Sequence, residues 1–121
     1  EVLCASFRNA LNTVKYIKGK LSQDSIDIEL IATDRKGSDE DLACAEMIAE
    51  MIKSDSQVTP DQYLVRAQNS QNAHKYHDLA QPNFLMSDLM YCSELDPLAP
   101  ATRCIIDSNT GKIKLQVIHN E

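Results

Sequence analysis

The sequence predicts an α/β fold: a mixed β-sheet flanked by helices, with a β-α-β start and a C-terminal β-hairpin. Two observations carry this. A β-rich run, a helical stripe and a second apolar run follow one another at the N-terminus, and two β-rich runs flank a Gly-containing turn at the C-terminus. The chain has 121 residues with 43% hydrophobic and 25% charged residues, enough for one domain with its own core.

Each element has a local reason. Val2 to Ala5 reads as a strand leading to Ser6, a good N-cap. From Phe7, the residues Leu11, Val14, Ile17 and Leu21 recur at spacings of three and four, so one helical face is apolar. Gly19 is expected to help end that helix, with Arg8, Lys15 and Lys18 facing water. Ile26-Asp27-Ile28-Glu29-Leu30-Ile31-Ala32 alternates and then becomes apolar throughout, which predicts a strand buried at its far end.

Ser38-Asp39-Glu40-Asp41 has the S-x-x-[DE] form of a capping box and predicts a second helix to about Lys53. Its buried stripe is expected at Leu42, Ala45, Ile48, Ala49 and Ile52, with Met51 alongside. Thr59-Pro60-Asp61-Gln62 predicts another helix start near Pro60, and Ser70 a restart that Pro82 ends. Asp88 to Cys92 reads as a strand and Leu95 to Pro100 as a rigid non-helical connection, because each proline restricts its predecessor. Thr102–Asp107 and Lys112–Ile118 flank Ser108-Asn109-Thr110-Gly111, which predicts a hairpin with positive φ at Gly111.

The composition excludes several functions. Eighteen acidic against twelve basic residues give a net charge of -6, which disfavours nucleic acid and anionic membrane as partners. No run reaches the roughly 20 apolar residues of a membrane span, and the first residues lack the pattern of a signal peptide, so a cytoplasmic protein is expected. Three isolated glycines exclude the G-x-G-x-x-G and Walker A phosphate loops. Cys4, Cys44, Cys92 and Cys104 form no close pair in sequence and are expected to be reduced, mostly buried thiols. The start at Glu1 within an apolar run suggests a piece of a longer protein.

The densest chemical constellation is Asp34-Arg35-Lys36-Gly37-Ser38-Asp39-Glu40-Asp41, two cations and four carboxylates in eight residues. It lies between a predicted strand end and a helix N-terminus, where open α/β sheets bind ligands. Free N–H groups there attract an anion, Arg35 can grip phosphoryl oxygens with two parallel bonds, and carboxylates can hold Mg²⁺. The parts suit a small phosphorylated acid. The same carboxylates also complement the helix dipole, so a solvated cap is the competing reading. His74 and His77, with Asp78 nearby, could share a helix face, but no further ligand stands at metal spacing. Met47, Met51, Met86 and Met90 read as core filler. Ser6 has no nucleophile-elbow context, and Cys92 reads as packing.

Three stretches in order resemble the C-terminal half of the 2-phosphosulfolactate phosphatase (ComB-like) family, over nearly all of residues 2 to 116. They are Ala5-Ser6-Phe7-Arg8-Asn9-Ala10, Ile28 to Thr33 followed by Glu40-Asp41-Leu42-Ala43-Cys44-Ala45, and Asp88-Leu89-Met90-Tyr91-Cys92 with the Asp96 to Pro100 connection. The resemblance implies Mg²⁺-dependent hydrolysis of 2-phosphosulfolactate to sulfolactate and phosphate, a step of coenzyme M biosynthesis. It points to Asn9 and Thr33 as substrate-binding positions and to Asp41, then Glu40, as metal-linked carboxylates. Arg35 joins them as a catalytic residue on the electrostatic argument alone. Family glycines correspond here to Ala5, Ala32 and Arg35. The family's upstream D-V-x-R-A-[ST]-T and G-E-R-x-G motifs are missing, so the sequence is expected to be one α/β domain, residues 1–121, of a longer chain. An N-terminal partner domain or a homo-oligomer would complete the site. The alternative is a non-catalytic α/β ligand-binding or dimerisation domain.

Overall fold

A computed structural model describes residues 1–33 and 39–119. Its elements run β1 (Val2–Cys4), α1 (Ala10–Leu21), α2 (Asp39–Lys53), α3 (Asp61–Gln68), a 3-10 turn (Gln71–Ala73), α4 (His74–His77), α5 (Met86–Cys92), β2 (Thr102–Ile106) and β3 (Ile113–Val117). The α/β class, the β-α start and the C-terminal hairpin are as the sequence predicts. The chain divides into two compact units, Glu1–Ile26 with Leu95–Glu121, and Asp27–Glu94.

In the first unit the strands pair antiparallel in the order β1-β2-β3. Val2 lies opposite Cys104 and Cys104 opposite Leu115, so alternation puts Val2, Cys4, Cys104, Ile106, Ile113, Leu115 and Val117 on one face. The hairpin closes through Gly111, whose φ of 66° is costly for any residue with a Cβ. Its N–H donates to the Asp107 carbonyl at 2.8 Å, and the Asp107 side chain accepts from the N–H groups of Asn109 and Thr110.

Helix α1 begins later than Ser6, at Ala10, with Asn9 at the cap position. The Asn9 side chain turns back on the entering chain instead, accepting from the Ser6 N–H at 2.9 Å and donating to the Cys4 carbonyl at 3.0 Å. Gly19 lies inside the helix, which continues to Leu21. One glycine costs only about 1 kcal/mol, and Lys18 and Lys20 favour the negative end of the dipole. Ala10, Thr13, Val14 and Ile17 are buried together with Phe7 and Ala101. The 95–100 connection is non-helical as expected and is tied to α1: Asn12 donates to the carbonyls of Pro97 and Ala99, and Arg8 pairs with Asp96 rather than facing water.

In the second unit α2 packs on α3. The buried arc of α2 is Ala43, Cys44, Met47 and Ile48, rotated from the predicted stripe, and Leu42 is exposed. Contact with α3 decides which arc of α2 is covered, and Met47 and Ile48 are its largest buried side chains. Helix α3 starts next to Pro60 as predicted, and Ser70 caps the following 3-10 turn by accepting from the Ala73 N–H.

Two predicted strands are absent. Residues 88–92 belong to helix α5, where Leu89 is buried and its carbonyl accepts from both the N–H and the hydroxyl of Ser93. A short apolar run fits either period, and here no neighbouring strand offers a ladder. Residues 26–32 lie in no helix or strand, and Ile26, Ile28, Leu30 and Ile31 are exposed. The β-α-β unit is therefore not closed among the described residues, and the sheet is antiparallel rather than mixed. Met86 and Met90 are exposed rather than core, and only Cys44 of the four free cysteines is buried. No helix among the described residues is long and apolar enough to cross a membrane.

Candidate functional site

Helix α2 opens with Asp39, Glu40 and Asp41, three carboxylates in the turn where unpaired N–H groups and the positive dipole end favour negative charge. The capping-box residue Ser38 and the catalytic candidate Arg35 lie outside the described residues, as do Asp34, Lys36 and Gly37.

The three carboxylates are held differently. Asp39 is gripped by Arg66, whose Nε and Nη2 donate to its two oxygens at 2.9 and 2.6 Å. The same guanidinium pairs with Glu46, about two turns further along α2. This bidentate bond holds the Asp39 carboxyl below its ordinary pKa, and the two carboxylates raise that of Arg66. Glu40 accepts from Asn72 Nδ2 through Oε1 at 2.8 Å, while its Oε2 is buried without a hydrogen-bond partner among the described residues. Asp41 accepts from the Thr33 hydroxyl through Oδ2 at 3.2 Å.

The structure thus brings Thr33 to Asp41 and places Glu40 against a different partner. Consecutive helix positions project roughly 100° apart, which is why the neighbouring carboxylates do not share one donor. Asn9 belongs to the other unit, where it orders the turn between β1 and α1. Among the described residues no group of three or more His, Cys, Asp or Glu side chains is arranged to hold a metal. His74 and His77 are exposed, and His77 Nε2 lies 3.3 Å from the Gln68 carbonyl. Burial, with the Asp41 carboxylate adding to it, pushes the Cys44 thiol up to about 12, so this cysteine is no nucleophile at neutral pH.

Arg66 and Asn72 were not singled out from sequence. A signal existed for Arg66: two successive helices joined by residues 54–60 pack as a pair, and the cation sits in the last turn of α3 while the acids sit in the first turn of α2. Asn72 lies in a polar stretch with nothing local to distinguish it from its neighbours.

A family model described as 2-phosphosulpholactate phosphatase matches residues 1–100. The chain is also similar to a probable 2-phosphosulfolactate phosphatase of Bacillus subtilis (strain 168), 34% identical over 94 residues that make up 78% of this chain and 40% of the relative. It therefore spans about two fifths of the length of that curated relative. No solved structure matches. The matched stretch contains Asn9, Thr33, Arg35, Glu40 and Asp41 and stops before β2.

Proposed function

The chain belongs to the 2-phosphosulpholactate phosphatase family, and from that premise we propose that it supplies part of the site of an enzyme hydrolysing 2-phosphosulfolactate to sulfolactate and phosphate. The supporting observation is the family match over residues 1–100, which takes in every residue of the acidic first turn and its Thr33 partner. Mg²⁺ dependence, a cytoplasmic location and a role in coenzyme M biosynthesis belong to the same proposal.

The residues fit Mg²⁺, a hard cation that takes oxygen donors and often only one or two protein carboxylates beside the substrate's phosphate. Asp41 is the proposed principal ligand and Glu40 the second, because Asp39 is already neutralised by Arg66 whereas Glu40 Oε2 is buried with no hydrogen-bond partner among the described residues. When bound, the ion supplies charge neutralisation at the phosphoryl oxygens. The chain's own residues do the rest. Thr33 orients Asp41, and Arg35 stabilises the charge spread over the equatorial oxygens of a loose transition state, while Asn9, in the other unit, is proposed as a substrate-binding position through the turn it orders there. Water adds at phosphorus, the ester oxygen leaves with a proton, and the hydroxy acid and phosphate are released.

The test is phosphate release from 2-phosphosulfolactate by this chain, with Mg²⁺ and with chelator. Turnover abolished by chelator and lowered about 10²-fold or more by Asp41→Asn supports the reading. Turnover that survives chelator, or that is unchanged by Asp41→Asn, overturns it. A second reading, an interaction domain, is favoured by one observation: the apolar sheet face is exposed, with Ile106 and Ile113 at 74% and 70%. It predicts self-association that weakens when Ile113 becomes Thr, and full indifference to Asp41→Asn.

A further inference from the structure

Two cysteines 100 positions apart meet on the sheet. In the β1–β2 register Cys4 lies opposite Thr102 and Val2 opposite Cys104, so the cysteines occupy diagonal positions on one face. Their sulfurs are 3.2 Å apart, and both side chains are half-buried, which leaves them open to a small reagent. The other two thiols differ: Cys44 is buried and Cys92 is exposed.

We propose that Cys4 and Cys104 are a reversible redox site, closing to a disulfide that staples β1 to β2 in the presence of a low-molecular-weight disulfide. This rests on the sheet register and the sulfur positions, not on the phosphatase reading. The Cys4 thiolate attacks one sulfur of the reagent; the reagent's S–S bond breaks, one thiol leaves with a proton, and a mixed disulfide remains on Cys4. The Cys104 sulfur, its proton given to solvent, then attacks Cys4 Sγ and expels the second thiol. Two cysteines are oxidised by two electrons and one reagent disulfide is reduced to two thiols.

Geometry allows the closure. A disulfide needs about 2.05 Å between sulfurs, so the pair must approach by roughly 1 Å. Among the described residues β1 is a three-residue edge strand, bonded on one side, and can yield by that much. The hydrogen bond with Cys104 raises the pKa of Cys4, so its attacking thiolate forms more readily in alkaline buffer. The site is also wired to its surroundings: the Cys4 carbonyl accepts from Asn9, so the oxidised staple fixes the strand to which the Asn9 turn is bonded.

The test is incubation of the chain with oxidised glutathione in mildly alkaline buffer, then alkylation, non-reducing digestion and mass mapping. The expected product is a monomer with Cys4 linked to Cys104, at least about tenfold more abundant than glutathionylated Cys4, because the second thiol acts at intramolecular effective concentration. Dithiothreitol returns both thiols. In Cys104→Ser, Cys4 accumulates as the mixed disulfide. Single glutathione adducts on Cys4 and Cys104 in the unsubstituted chain, persistent free thiols at both, or a link from either to Cys92 would overturn the proposal.

Discussion

The α2–α3 pair and the three-stranded sheet both carry a clean apolar pattern, yet only the first covers it. Helix α2 buries Ala43, Cys44, Met47 and Ile48, with Met47 fully inaccessible. The sheet aligns Val2, Ile106, Ile113, Leu115 and Val117 on one face and leaves all five exposed. The helix has a partner shortly after it in sequence, whereas the sheet face has none among the described residues. Periodicity reports which face an element would bury, and burial itself depends on what lies opposite.

That contrast can be broken by substitution. Met47→Ala is expected to cost about 2–5 kcal/mol, since it removes a buried side chain and leaves a cavity, whereas Leu115→Ala is expected to cost less than about 1 kcal/mol. Urea unfolding of both variants measures the difference. Equal losses would mean that the sheet face is covered in solution.

The glycines sharpen the comparison with opposite signs. Gly111→Ala forces a Cβ onto a left-handed backbone and should lower stability by about 1–2 kcal/mol, although no atom stands in the way. Gly19→Ala sits in open space within α1 and should raise it by about 1 kcal/mol. Thermal melts of the two variants should move in opposite directions.

The smallest expected effect is at the α2 terminus. Arg66 and Asp39 are both substantially exposed, so Arg66→Met should cost no more than about 1 kcal/mol, less at high salt. Its signature is in pH. The folded pKa of Asp39 lies below its unfolded value of about 3.9, so the stabilisation is complete above that value and fades as pH falls through the folded pKa. The gap between unsubstituted chain and variant should therefore be constant at neutral pH and narrow below about pH 4. A gap unchanged into strong acid would show that the pair does not act through Asp39.

Sequence made much of this readable. The capping signatures at Pro60 and Ser70 and the turn at Gly111 are local chemistry, and local chemistry survives folding. The buried arc of α2 lies part of a turn from the predicted stripe because contact with α3 sets which face is covered. Residues 86–92 were too few for their period to separate helix from strand, and 26–32 carried a strand pattern with no partner to pair with. Of the candidate site, Asp41 and Thr33 are each readable in one local stretch but their hydrogen bond is not, and the Arg66 and Asn72 contacts join residues 27 and 32 positions apart. Such pairings depend on how helices pack and leave little mark on local sequence.

Within one helical turn Asp39 is held by Arg66, and Glu40 and Asp41 are the carboxylates proposed to serve the phosphate site. Calorimetric titration of Mg²⁺ in the presence of phosphate, with the unsubstituted chain, Asp39→Asn and Asp41→Asn, tests this assignment most directly. The account predicts that Asp41→Asn loses Mg²⁺ binding and that Asp39→Asn keeps it within about threefold, because that carboxylate is already neutralised by its guanidinium partner. Equal loss in both variants, or binding that survives Asp41→Asn, would contradict it.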